Sequence, residues 1–144
     1  MKKNIIWIAV IDSHKARFFQ TLKKEPLSLI KEIILETEPN PKPGRTFDSF
    51  GKGRHAIEPH SNFKDVERQH LSAQITEFLQ ESLNHNKFDD LILIATHKIG
   101  SALEEKLSDQ IKQKIIHIIH KNILDLSPSE IREYLLKMDI KELQ

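Results

Sequence analysis

From Ile5 to Ile11 every position is apolar, so a strand here would present a hydrophobic side chain to both faces of a sheet, as a central strand must. Asp12-Ser13-His14 supplies turn residues after it. Lys15 to Leu22 then predicts a second strand, with Ala16, Phe18 and Leu22 on one face and Arg17, Phe19 and Thr21 on the other. Lys23-Lys24-Glu25-Pro26 predicts the next turn, and Leu29 to Leu35 a third strand that alternates more visibly through Lys31 and Glu32. Connections this short make the three strands an antiparallel meander.

Downstream the period changes. Leu71, Ile75, Phe78, Leu79 and Leu83 fall on one helical stripe, in a helix expected to start near Ser61 or Asn62 and to stop at Asn84-His85-Asn86. Leu91 to Ala95 is short and wholly apolar, which predicts a buried parallel strand. Ile99, Leu103 and Leu107 share a second helix face, and Ile115-Ile116-His117-Ile118-Ile119 is a β-branched run that predicts a fifth strand. Ser127-Pro128-Ser129-Glu130 combines an N-cap serine, proline at the first helical position and a capping-box glutamate, with Ile131, Tyr134, Leu135 and Met138 as the core face of that last helix. The predicted order is β-β-β-α-β-α-β-α around a five-stranded mixed sheet, with Ile5–Ile11 and Leu91–Ala95 adjacent and parallel. This is the order of ribonuclease-H-like folds.

The 144 residues are expected to form a single domain over 1–144, able to build a core without staples. With no cysteine there are no disulfides, thiolate metal sites or cysteine nucleophiles, which fits a reducing compartment. A net charge of +1 gives the whole chain no strong attraction to nucleic acid or membrane, so electrostatic function must be local. Met1-Lys2-Lys3 and the apolar run after it imitate a signal peptide, but Asp12-Ser13-His14-Lys15 follows and no small-residue cleavage site does. A cytoplasmic protein without a membrane partner is expected.

Enzymatic readings find little support in the residues. A ribonuclease-H-like nuclease needs carboxylates converging on two metal ions roughly 3.5–4 Å apart. Asp12 lies at the right end of the first strand and Glu67 on the helix, but Thr96-His97-Lys98 follows the fourth strand, and Asp89-Asp90 lies at its opposite end. A lysine where a metal ligand is required leaves that site incomplete. His117 and His120 fall on opposite faces of a strand, and His55 and His60 have no partner at helical spacing, so neither pair is read as a metal site. No phosphate-binding P-loop, dinucleotide fingerprint or nucleophile elbow occurs, and Asp12-Ser13-His14, although made of triad residue types, reads as a turn. No catalytic residue, metal or cofactor is assigned, and a hydrolase is the weakest of the functional readings.

Residues 37–60 are different. Pro39, Pro41, Pro43 and Pro59, with Gly44, Gly51 and Gly53, disfavour regular structure over a length that is uncommon inside a compact domain. Lys42, Arg45, Lys52 and Arg54 stand there against the single acid Asp48 of the stretch from Lys42 to His55. Glycines let backbone approach a phosphate closely, the cations neutralise it, and Phe47 and Phe50 offer faces on which unpaired bases can stack. The same residues equally fit a surface loop whose phenylalanines tuck into the core. Gly51 and Gly53 raise the entropy of ordering the tip, so Thr46 to Arg54 is expected to be poorly ordered in the protein alone.

With these residues in place the chain resembles the bacterial host attachment protein family, a bacterial branch of the archaeo-eukaryotic release factor superfamily. The resemblance rests on Asp12, Ala16-Arg17 and Phe19 in the first hairpin, and on Gly44-Arg45-x-Phe47-Asp48-Ser49. It continues through Gly51-x-Gly53-Arg54-His55-Ala56-x-Glu58-Pro59 and Phe88-Asp89-x-Leu91 leading into Ala95. Thr96-His97-Lys98 departs from the family's proline-rich stretch, Leu103-Glu104 from its Leu-Arg, and Lys121-Asn122-Ile123-Leu124 from its Lys-Asp-Leu-Thr. The resemblance implies a fold like the middle domain of class-1 release factors, whose loop at this position carries a Gly-Gly-Gln. Gly51-Lys52-Gly53-Arg54-His55 has no glutamine, so peptidyl-tRNA hydrolysis does not carry over.

Two functions follow as expectations. The first is a non-enzymatic module binding structured RNA or the ribosome through Arg45, Phe47, Phe50, Lys52, Arg54 and His55. The second is a protein-interaction factor needed for attachment to host cells, with the same loop docking a protein partner.

Overall fold

The computed structural model describes residues 4–35 and 60–144, the side chains of residues 60–65 excepted. Strands β1 (Ile6–Ile11), β2 (Lys15–Thr21) and β3 (Ser28–Ile34) come first, then helix α1 (His60–Asn84). Strand β4 (Asp90–Ala95), helices α2 (His97–Lys106) and α3 (Asp109–Lys114), strand β5 (Ile115–Ile119) and helix α4 (Pro128–Lys137) follow, with a 3-10 turn at Lys141–Leu143. The five strands form one sheet in the order β3-β2-β1-β4-β5. β1 pairs antiparallel with β2 and parallel with β4, in a register that sets Ile6 beside Asp90 and Ile11 beside Ala95. The mixed sheet and the parallel neighbours predicted from the apolar runs are both present.

The two-sided apolar character of β1 and β4 follows from two cores. Trp7, Ala9 and Ile11 with Leu91, Leu93 and Ala95 face α1, α2 and α3, where Leu71, Ile75, Leu79, Leu103 and Ile111 are buried. Ile6, Ile8 and Val10 with Ile92 and Ile94 face the other way, onto Ile131 and Leu135 of α4 and onto Ile140 and Leu143. Strand β3 is a sheet edge, and its Leu29, Ile30 and Ile34 are exposed. No helix among the described residues is long and apolar enough to cross a membrane.

The apolar spacing predicts one helix between β4 and β5, and the structure has two. The i, i+4 spacing of Ile99, Leu103 and Leu107 suits a continuous helix, but the chain turns extended at Leu107 and Ser108 starts a new helix by accepting the Ile111 N–H on its hydroxyl. The first of these helices starts at His97, so Gly100 and Ser101 lie inside it. Met138, expected on the core face of α4, is exposed, because the helix ends at Lys137 and Asp139 takes a left-handed φ of 60°.

The capping box of α4 is complete: Ser127 Oγ accepts the Glu130 N–H at 3.2 Å and Glu130 Oε1 accepts the Ser127 N–H at 2.8 Å. Ser127→Ala is expected to cost about 1 kcal/mol, as loss of a serine cap does. Urea unfolding followed by circular dichroism checks this; an unchanged midpoint would show that the cap contributes nothing.

Candidate functional site

The chain leaves β1 toward β2 on one side and β4 toward β5 on the other. Diverging connections of this kind leave a crevice outside the carboxyl ends of the two parallel strands, the usual position of ligand sites in open α/β sheets. A cleft of about 350 Å³ lies there, lined by Ser13 and His14 after β1, Glu67 and Arg68 from α1, and Thr96, His97, Lys98 and Ile99 at the start of α2. A shallower hollow of about 450 Å³ shares Arg68, His97 and Lys98 with it.

Local structure fixes each contributor. Asp12 Oδ1 accepts the backbone N–H of His14 and of Lys15, each at 2.8 Å, which closes the turn after β1. Ser13 Oγ lies 3.0 Å from His14 Nδ1, while His14 Nε2 faces Glu67 Oε1 at 3.7 Å. Glu67 is the one carboxylate among the described residues of the cleft. At the end of β4, Thr96 caps α2 without a side-chain hydrogen bond to the helix. The His97 ring stacks on that of His120, with centroids 3.9 Å apart and planes 14° from parallel, and His120 Nδ1 lies 3.3 Å from the Ala95 carbonyl oxygen. Gly100 leaves room for this ring, since a Cβ there would sit 3.3 Å from His120 Cε1.

The candidate residues Arg45, Phe47, Phe50, Lys52, Arg54 and His55, and the expected poor order of Thr46 to Arg54, lie outside the described residues. The ends of their segment are described. Leu35 donates its N–H to the His14 carbonyl at 2.8 Å, and α1, which opens at His60, brings Glu67 and Arg68 to the cleft two turns later. Both ends of residues 36–59 therefore attach on the cleft side of the sheet.

Asp12 and Glu67 are on the sides of the cleft expected for nuclease ligands, but Asp12 is engaged in its turn, Glu67 faces His14, and Thr96-His97-Lys98 ends β4. Among the described residues no three His, Cys, Asp or Glu side chains converge to hold a metal ion. His117 lies 3.9 Å from Glu142, apart from the His97–His120 stack. Sequence alone points to no role for His14, Arg68, His97 or His120. The signal for His14 and His97 was positional, since each follows a strand whose two-sided apolar run already marked it as parallel and central.

The sheet order and the placement of this cleft define a release-factor-like α/β fold. The crystal structure of the archaeal translation termination factor aRF1 matches with a TM-score of 0.57 at 14% identity, over 98% of this chain and 36% of that one. A second solved chain, described as an archaeal protein, matches with a TM-score of 0.52 at 15% identity, over 97% of this chain and 35% of its own. The chain thus spans about a third of the length of these solved relatives. It belongs to the family described as proteins required for attachment to host cells, whose model matches residues 7–135. The Rickettsia prowazekii (strain Madrid E) protein RP470, named as uncharacterized, is 23% identical over 124 residues, covering 81% of this chain and 83% of that protein.

Proposed function

We propose that this family member is a non-enzymatic module, one domain over residues 1–144, that binds structured RNA or the ribosome in the cytoplasm. Arg45, Lys52, Arg54 and His55 would supply phosphate contacts, and Phe47 and Phe50 the faces on which bases stack. The observation that carries this reading is the attachment of residues 36–59 at both ends beside a cleft lined by Arg68, Lys98, His14 and His97. A cation-rich segment whose flanking residues reach a cleft lined by Arg68 and Lys98 would add its charge to theirs in attracting a polyanion. The family description favours a second reading, in which the same segment docks a protein partner during attachment to host cells.

Co-sedimentation with ribosomes separates the two. Replacing Phe47 or Phe50 by alanine is expected to weaken binding by about 1–3 kcal/mol each if each stacks on a base. Ribosome binding that is absent in the wild type, or unchanged in both variants, would transfer the weight to the protein-partner reading.

A further inference from the structure

We infer that the cleft at the carboxyl ends of β1 and β4 is a nucleotide site that holds a phosphate ester. This deepens the RNA reading and rests on it only for the source of the ester. Three observations converge. Arg68, His97 and Lys98 are common to both hollows, so two cations and an imidazole stand between two spaces rather than at the bottom of one. An anion held there would carry a substituent into either hollow, which suits an ester better than a bare ion. Glu67, the single described carboxylate of the cleft, faces the His14 imidazole at 3.7 Å, and Glu105 lines only the second hollow. Finally, the cleft volume of about 350 Å³ falls in the range of small-molecule sites, roughly 300–1,000 Å³.

The stacked rings of His97 and His120 add a recognition element. Both histidines are exposed residues, and a nucleobase could extend their stack, as aromatic and histidine side chains allow in RNA-binding sites. The first turn of α2 lines the cleft beside Lys98, and among the described residues no side chain caps it. The ester can come from a free mononucleotide or from the end of an RNA strand.

The test is amide-resolved NMR titration of the full chain with adenosine 5′-monophosphate and, separately, with a short 5′-phosphorylated oligoribonucleotide. Both should move the Thr96–Ile99 amides, and Lys98→Ala or His97→Ala should each weaken binding by about tenfold, the usual loss of one charge-assisted contact. Lys98 and His97 are exposed, and unchanged unfolding curves would show that both variants fold. Binding of the oligonucleotide alone, lost in Lys98→Ala, also supports the site and assigns its source to a strand end. If neither ligand moves these amides, or if both variants bind as the wild type does, the inference is overturned. The Arg45, Lys52 and Arg54 triple alanine variant keeps the two proposals apart. It should bind the mononucleotide normally, and if it also keeps the oligonucleotide, the loop reading fails while the cleft stands.

Discussion

Trp7→Ala is expected to destabilise the fold by about 3–5 kcal/mol, the range for removing a buried aromatic. Trp7 is only 3% exposed and stands where the sheet meets α1. Its ring stacks on Phe88 with centroids 4.8 Å apart and on Phe78 at 5.6 Å, and Phe78 in turn lies 4.8 Å from Phe18. Its Nε1–H donates to Gln20 Oε1 at 3.0 Å, so the variant also strands a polar partner on β2. Against a typical total stability of roughly 5–15 kcal/mol, this loss consumes a large share. The urea midpoint should fall by about 2 M, or the variant should not fold. Trp7→Phe keeps a ring in the cluster and should lose less. Because Trp7 is the only tryptophan, circular dichroism rather than fluorescence must follow the transition. A Trp7→Ala midpoint within about 0.5 M of the wild type would mean that this cluster does not anchor the sheet.

The aromatic cluster illustrates what the sequence made legible. A run apolar at every position, Ile5 to Ile11, has one inexpensive solution, a strand covered on both faces, and the structure places it between β2 and β4. Leu91 to Ala95 obeys the same argument, and Ser127 to Glu130 marks its helix start by chemistry that little else explains. The split into α2 and α3 was hidden because the apolar spacing runs through Leu107 without a gap, and a single serine hydroxyl decides where the second helix starts. Met138 fitted the stripe of α4 but falls one residue past its end.

The cleft was less legible for a different reason. His14, Glu67, Arg68, His97, Lys98 and His120 come from separate parts of the chain, and each reads locally as a turn, a helix surface or a strand end. Only the parallel pairing of β1 with β4 brings the turn after Ile11 beside the start of α2. The residues proposed to bind RNA stand out for the opposite reason. They are contiguous, so composition alone marks them.

The second large effect is expected at those residues. Replacing Arg45, Lys52 and Arg54 together by alanine should reduce RNA affinity at about 50 mM salt by tenfold or more, with no dependence on base sequence. The reasoning is electrostatic. Each cation that neutralises a phosphate releases condensed counterions, so each contact removed should make the plot of log affinity against log salt shallower by about one unit. Three contacts make a difference of about three units, well above what one altered contact produces. None of the described core residues is replaced, so the unfolding midpoint should stay where it is.

The most direct measurement is therefore the salt dependence of binding to purified ribosomes and to ribosomal RNA, wild type beside the triple alanine variant. The account predicts measurable binding by the wild type, steep in salt, and a slope shallower by about three units in the variant. Wild-type and variant proteins that bind equally weakly at low salt, with the same slope, would contradict it.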